Sequence, residues 1–134
     1  SKMLAALFEK GNSKEVIHVT TAVLTASKVP TEMLEIALNY RAEARFLSQD
    51  YKGAVLDLAD FLDLYPGSKK AARAYLLLGD SYVYLKNKPV ALSYYSDCLK
   101  NFPNSIEGKA CQTRFTALEN QMNAERGGRS SSIR

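Results

Sequence analysis

A 37-residue internal repeat restricts the fold of this chain more than any other feature of its sequence. Residues 64–68 (LYPGS) and residues 101–105 (NFPNS) carry a proline at the same place, and the two prolines lie 37 residues apart. Sliding the sequence by that distance brings Ala54 onto Ala91, and it aligns small residues with small ones and most large apolar residues with large apolar ones. A period of this length indicates a chain built from stacked units of secondary structure.

Each unit of the repeat is predicted to form two helices. Residues 71–86 place apolar side chains at a helical period, and the residues NKP at 87–89 interrupt that pattern. A second helix over 89–101 is expected to end before Pro103, because proline disfavours the helical conformation in the residue before it. The same patterns predict further helices over 2–10, 13–28, 31–48, 51–65 and 105–125, and no strand. The expected N-caps are Ser13, Thr31 and Ser68.

The unit with helices over 71–86 and 89–101 resembles the tetratricopeptide (TPR) motif. The matching positions are Tyr75 in the place of the motif's tryptophan, then Leu78, Gly79, Tyr82, Ala91, Tyr95, Cys98 and Pro103. The preceding unit is similar but departs from the motif, since Arg41 and Arg45 stand where Leu and Tyr are expected. These arginines either extend into solvent or pair with acidic side chains.

The resemblance implies an all-α fold, a right-handed TPR α-solenoid of antiparallel helix pairs with a C-terminal capping helix. The expected TPR domain covers residues 1–125, with helix pairs at 1–29, 31–66 and 69–103 and the capping helix at 105–125. A basic flexible tail is expected at 126–134. The motif Tyr-Pro-x-Ser at 65–68 is similar to the bacterial envelope branch of TPR proteins (Tol-Pal accessory and BamD-like). That similarity implies a periplasmic or envelope-associated location, with the cytoplasm as the alternative.

TPR proteins bind a peptide or helix of a partner protein in a concave groove lined by the first helix of each repeat. The resemblance therefore implies a scaffold or adaptor, with a partner-binding groove formed by Asn39, Glu43, Phe46, Leu47, Arg73, Leu76, Asp80, Val83 and Tyr84. Glu43 and Asp80 favour a Lys or Arg in the partner and disfavour a terminal carboxylate. Core packing is the competing interpretation for the apolar members, and for Asp80 it is capping or pairing with Arg73. The alternative function is a self-associating structural component of a larger assembly, so a homo-oligomer stays open, as do further repeats before residue 1.

The distribution of charge argues against nucleic-acid binding. Three of the 18 basic residues lie in the last nine positions, which leaves 15 basic and 14 acidic side chains in residues 1–125. The body of the chain therefore has no basic stripe of the kind that binds phosphates. No apolar run approaches the ~18 residues that a membrane span requires, so direct membrane insertion is not expected.

Nothing in the sequence predicts catalysis, a cofactor or a metal site. His18 is the single histidine, and the glycines are scattered and form no phosphate-binding loop. Asp57, Asp60 and Asp63 share a helix face, for which a solvated face is preferred over weak metal binding. Cys98 and Cys111 fit no zinc spacing, and two buried free thiols are preferred over a disulfide, which stays open for an oxidising compartment.

Overall fold

The structure is a computed structural model that describes the backbone of residues 2–133 and the side chains of residues 2–127. Within these residues it consists of helices and turns, so the predicted all-α helical repeat fold is confirmed. The described residues form seven helices, which are α1 (Lys2–Glu9), α2 (Ser13–Thr25), α3 (Thr31–Leu47), α4 (Tyr51–Leu64), α5 (Ala71–Tyr84), α6 (Lys88–Asn101) and α7 (Ile106–Ile133).

Three helices begin with a side chain that accepts a hydrogen bond from the backbone amide three residues later. Asp50 accepts from Gly53 at 3.0 Å before α4, and Asn87 accepts from Val90 at 3.3 Å before α6. Ser105 does the same before α7, where its hydroxyl accepts from the Gly108 amide at 2.9 Å. These bonds satisfy amides that have no partner within the helix, and so they fix where each helix begins.

The N-caps expected from the sequence at three other helices are wrong. Helices α2 and α3 begin at Ser13 and Thr31 themselves, after caps that make no side-chain hydrogen bond. Ser68 accepts a hydrogen bond from the Lys70 amide at 3.1 Å, but it does so in the turn that precedes α5. In each case the first helical residue lies one or two positions from the one that the hydroxyl predicted.

The helices form two layers. Every helix packs on the next one along the chain, and in addition α1 contacts α3, α3 contacts α5, and α5 contacts α7. Among the described residues the even-numbered helices make no such contacts with one another. The odd-numbered helices therefore form a continuous layer, called the odd-helix layer below, and the even-numbered helices cover one side of it. This is the arrangement expected of a helical repeat.

A close crossing of α5 and α6 explains why small residues recur in the repeat. Gly79 and Ala91 are both buried, and Gly79 lies against the ring of Tyr95. Leu78 points away from this crossing and belongs to a buried hydrophobic cluster that includes Phe61 of α4. At Gly79, a position where the motif has a small residue, α5 and α6 therefore pack too closely for a larger side chain.

Asp57 lies in the interior and pairs with Arg41 and Arg45, the two arginines that depart from the repeat motif. Arg41 forms two hydrogen bonds to its carboxylate, at 2.9 and 2.8 Å, and Arg45 forms one at 3.0 Å. The Asp57 side chain is 3% exposed, so the expected solvated face is wrong for this residue, although Asp60 and Asp63 are exposed. Of the two outcomes left open for the arginines, pairing with an acidic side chain is the one observed. The pairing compensates the cost of burying these charges.

Cys98 and Cys111 form a disulfide that joins α6 to α7, so the preference for free thiols is wrong. Both residues are fully buried, and their Cα atoms lie 6.1 Å apart. The antiparallel packing of the two helices places the cysteines within the distance that a disulfide spans. Composition alone could not distinguish this arrangement from two neighbouring thiols.

Helix α7 is longer than the sequence indicates. Its backbone is helical to Ile133, whereas the pattern placed its end at residue 125 and a flexible tail at 126–134. The side chains of residues 128–134 lie outside the described part of the chain. Within the described residues, no helix combines the length and the apolar character that crossing a membrane requires.

Candidate partner-binding site

In the part of the chain that the structure describes, a pair of clefts opens along the odd-helix layer. The first, called the tyrosine cleft, has a volume of about 480 Å³. Its lining residues come from α3, α5, α6 and α7, and they are Phe46, Asp80, Val83, Tyr84, Tyr95 and Arg114. The second, called the acidic cleft, has a volume of about 470 Å³ and lies between α1, α3 and the start of α5. Its lining residues are Phe8, Glu32, Glu35, Ile36, Asn39, Tyr40, Glu43, Phe61 and Lys70.

A stack of aromatic rings forms one wall of the tyrosine cleft. The rings of Tyr84 and Tyr51 are parallel within 5°, with centroids 4.4 Å apart. Phe46 meets both edge-on, at 6.2 Å from Tyr84 and 5.5 Å from Tyr51. Such pairs are favourable beyond the area they bury. Although the stack fixes its ring, Tyr84 remains 58% exposed and is available to a partner.

The opposite wall of the tyrosine cleft carries charge. The Tyr95 hydroxyl donates a hydrogen bond to the Asp80 carboxylate, and Arg114 Nε lies 3.3 Å from the same carboxylate. Burial raises the pKa of Asp80 above its ordinary value, although the Tyr95 hydrogen bond and Arg114 oppose this shift. Burial, reinforced by Asp80, also raises the pKa of Tyr95, so this hydroxyl keeps its proton and remains a donor. Asp80 and Arg114 are therefore paired with each other, and the Arg114 side chain remains 45% exposed beside the cleft.

The acidic cleft is built mainly on one face of α3. Glu32, Glu35, Asn39 and Glu43 follow one another at spacings of three or four residues, which places them along one side of the helix. Glu43 is buried and paired with Arg73 of α5. Asn39 is only 8% exposed as a residue, and its amide, which forms no hydrogen bond with the described residues, reaches the solvent of the cleft.

An aromatic pair closes one side of the acidic cleft. The rings of Phe8 on α1 and Tyr40 on α3 meet edge-on, with centroids 5.6 Å apart. This contact joins the first helix to the rest of the odd-helix layer. The cleft thus combines an aromatic wall with a row of polar and acidic side chains.

The structure divides the residues predicted as one groove between the two clefts. Asn39 and Glu43 line the acidic cleft, whereas Phe46, Asp80, Val83 and Tyr84 line the tyrosine cleft. Leu47 is exposed but lines neither cleft in the described part of the chain.

Two predicted groove residues have structural contacts instead. Leu76 is buried with Tyr95 and Leu118 in the core between α5, α6 and α7, which favours the core-packing interpretation for it. Arg73 pairs with Glu43, so the alternative in which it pairs with Asp80 is wrong.

Sequence reasoning missed several cleft residues, and some of them left a signal. Glu32 and Glu35 lie on the α3 face already identified by Asn39 and Glu43, and extending that face by two turns would have found them. Arg114 was overlooked because its helix was interpreted only as a cap. Phe8 could not be found, because nothing local to α1 shows that it packs on Tyr40.

The fold and these clefts define a class of protein, the all-α helical repeat proteins, with two layers of antiparallel helices. A comparison with protein families identifies the type of repeat for one helix pair. Residues 73–105, which hold most of α5, all of α6 and the turn that follows, match the family model described as a tetratricopeptide repeat. No curated protein matches the chain.

Proposed function

We propose that this chain is a protein-interaction module that holds a segment of a partner protein in the tyrosine cleft. TPR repeats generally mediate protein–protein interaction and scaffolding, and residues 73–105 match such a repeat. The observation that carries the proposal is the exposed, stacked ring of Tyr84 on the odd-helix layer, facing a cleft that Arg114 also lines.

The chemistry of the tyrosine cleft suits a protein ligand. Tyrosine and arginine are enriched among the residues that contribute most to protein interfaces. The Tyr84 ring is held by Tyr51 and Phe46 before a partner arrives, so little conformational entropy is lost on binding. An extended segment or a helix with an apolar or aromatic anchor would lie against Phe46, Val83 and Tyr84, and its polar groups would meet Arg114.

Selection from a random peptide library displayed on phage tests this function. Enriched peptides are expected to bind the purified protein and to shift the backbone NMR signals of Val83, Tyr84 and Arg114. Tyr84→Ala is expected to weaken that binding at least tenfold, the equivalent of ~1.4 kcal/mol. The control is Ile106→Ala, since Ile106 is 85% exposed at the start of α7 and lines neither cleft. No enrichment, or equal losses in both variants, would refute the proposal.

A second candidate function is self-association, and two exposed leucines on α4, in the layer of even-numbered helices, favour it. Leu56 and Leu64 on α4 are 68% and 64% exposed. Light scattering coupled to size-exclusion chromatography distinguishes the two functions. A dimer that dissociates in the double variant Leu56→Glu/Leu64→Glu would support assembly through α4, whereas a monomer would exclude it.

The Cys98–Cys111 disulfide supports a location in an oxidising compartment. Disulfides persist in compartments such as the bacterial periplasm and are rare in a reducing cytosol. This agrees with the envelope location that the Tyr-Pro-x-Ser motif suggested. Alkylation of unfolded, unreduced protein from its native source tests the location by mass spectrometry, because a protein that resides in the cytosol would label at both cysteines.

A further inference from the structure

We propose that the acidic cleft receives a lysine or arginine side chain of the same partner segment that occupies the tyrosine cleft. The inference rests on the proposed function and adds the chemistry of the partner. It depends on three observations at the cleft: two carboxylates without ion-pair partners, an Asn39 amide that forms no hydrogen bond with the described residues, and an aromatic wall.

The charge of the cleft favours a cation. Glu32 and Glu35 lie three residues apart on α3, and neither forms an ion pair within the described residues. Glu43 is already paired with Arg73. Lys70 also lines the cleft, but it is exposed and does not pair with these carboxylates. Two carboxylates therefore remain available for one incoming guanidinium or ammonium group. Hydrogen bonds between such charged groups are stronger than those between neutral groups.

Asn39 indicates independently that this cleft binds a polar group. The residue is more than nine-tenths buried and lines the cleft, and its amide forms no hydrogen bond with the described residues. The amide atoms keep access to the solvent of the cleft, so a ligand there can form hydrogen bonds with them in place of water. The amide oxygen accepts from a cationic side chain, and the amide nitrogen can donate to the backbone of the same segment.

The apolar walls fit the remainder of such a side chain. Phe8 and Tyr40 present aromatic rings, and a cation beside an aromatic ring is attracted to the face of the ring. Ile36 offers an apolar surface to the aliphatic part of a lysine or arginine. A short acidic or neutral polar side chain would leave these contacts unused.

The positions of the two clefts on α3 set a spacing for the partner. Asn39 lines the acidic cleft, and Phe46 lines the tyrosine cleft seven residues later. Seven residues of helix correspond to about 10 Å along its axis. An extended segment covers that distance with about three residues. The partner is therefore expected to carry its cation about three residues or more from its apolar anchor.

NMR titration with N-acetylarginine amide tests the cleft directly. Saturable shifts are expected for the backbone signals of Glu35, Asn39 and Tyr40, and none for N-acetylcitrulline amide, which has the same shape without the charge. The double variant Glu32→Gln/Glu35→Gln is expected to weaken binding about tenfold without changing the melting temperature, because these side chains make no ion pair in the described structure. The matched control is Glu15→Gln/Glu119→Gln, which removes two exposed carboxylates from elsewhere.

Three results would overturn the inference: no saturable shift, equal shifts with the citrulline compound, or a loss of binding as large in the control variant. Spermidine is a further arm, and saturation of the same signals at much lower concentration would assign the cleft to a free polyamine instead. The two proposals fail separately. If the arginine compound does not bind but the selected peptides still require Tyr84, the inference falls and the proposed function stands.

Discussion

Gly79 on α5 lies so close to Tyr95 on α6 that a β-carbon at position 79 would come within 2.3 Å of the Tyr95 ring. Tyr95 cannot move aside freely, because it is buried and its hydroxyl donates to Asp80 at the edge of the tyrosine cleft. The contact therefore links the packing of one repeat to the geometry of the candidate site. A substitution at Gly79 would therefore disturb both the packing of the repeat and the tyrosine cleft.

Gly79→Ala is expected to lower the free energy of unfolding by about 1–3 kcal/mol, the usual cost of overpacking a core. Urea unfolding followed by circular dichroism measures the change. Gly67→Ala is the control, since no heavy atom of the described residues lies within 4 Å of a β-carbon there. Equal stability of the two variants would mean that the helices separate easily at this crossing.

Asp57→Ala is expected to destabilise the fold by about 3–5 kcal/mol, because it leaves two largely buried arginines without their anion. The same unfolding measurement tests this. Asp60→Ala provides the comparison, since Asp60 is exposed on the same helix and its loss should change stability little. If both variants unfold alike, Arg41 and Arg45 gain enough from solvent to do without Asp57.

Reduction of the disulfide is expected to lower the free energy of unfolding by about 3 kcal/mol, the loop-closure value for a 13-residue separation. Urea unfolding with and without a reducing agent gives the difference. The variant Cys98→Ala/Cys111→Ala should be insensitive to the reducing agent. A native protein with two alkylatable thiols after unfolding without reductant would contradict the bond itself.

Leu76→Glu and Tyr84→Ala are expected to have opposite effects. Leu76 is buried, so a carboxylate there should unfold the protein, whereas the exposed Tyr84 should be replaceable with little change in melting temperature. Thermal unfolding separates the two. If both variants keep the melting temperature of the wild type, Leu76 is not a core residue and belongs to the candidate site. If both variants unfold, Tyr84 is a core residue.

Asp80 predicts a specific pH dependence. Burial raises its pKa in the folded protein above the ordinary 3.8, so the folded state holds this proton more tightly than the unfolded chain. The resulting stability is fully present below the unfolded pKa and is lost as pH rises through the folded pKa. Relative to Asp80→Asn, the wild type should therefore be more stable at about pH 3.5 than at neutral pH. An opposite trend in urea unfolding would mean that Tyr95 and Arg114 outweigh burial.

The fold was largely predictable, because helical periodicity and breaking residues are local signals. Pro89 and Pro103 marked the bounds of α6 to within a residue or two, and Gly79 marked the helix crossing. Asp57 was not predictable in the same way. Its burial depends on Arg41 and Arg45, which lie 16 and 12 residues before it, and a local pattern shows only three acidic residues on one helix face.

The candidate site was predictable only in part, since the helix face could be identified but the neighbouring helices could not. The α3 face correctly grouped Asn39 with Glu43, and the α5 face grouped Asp80 with Val83. Whether a side chain on such a face is covered depends on the helices beside it. Leu76 is covered by Leu118 of α7, and Arg114 of the same helix enters the tyrosine cleft.

The covalent bond between α6 and α7 makes the turn between them dispensable for keeping the two helices together. Pro103 and Asn104 in that turn are exposed, so a protease can reach the backbone there. A cut at this point would leave two peptides joined through Cys98 and Cys111, which migrate as one species until a reductant is added. Helix α7 would thus stay beside Asp80 and keep Arg114 in place, even in a chain that is no longer continuous.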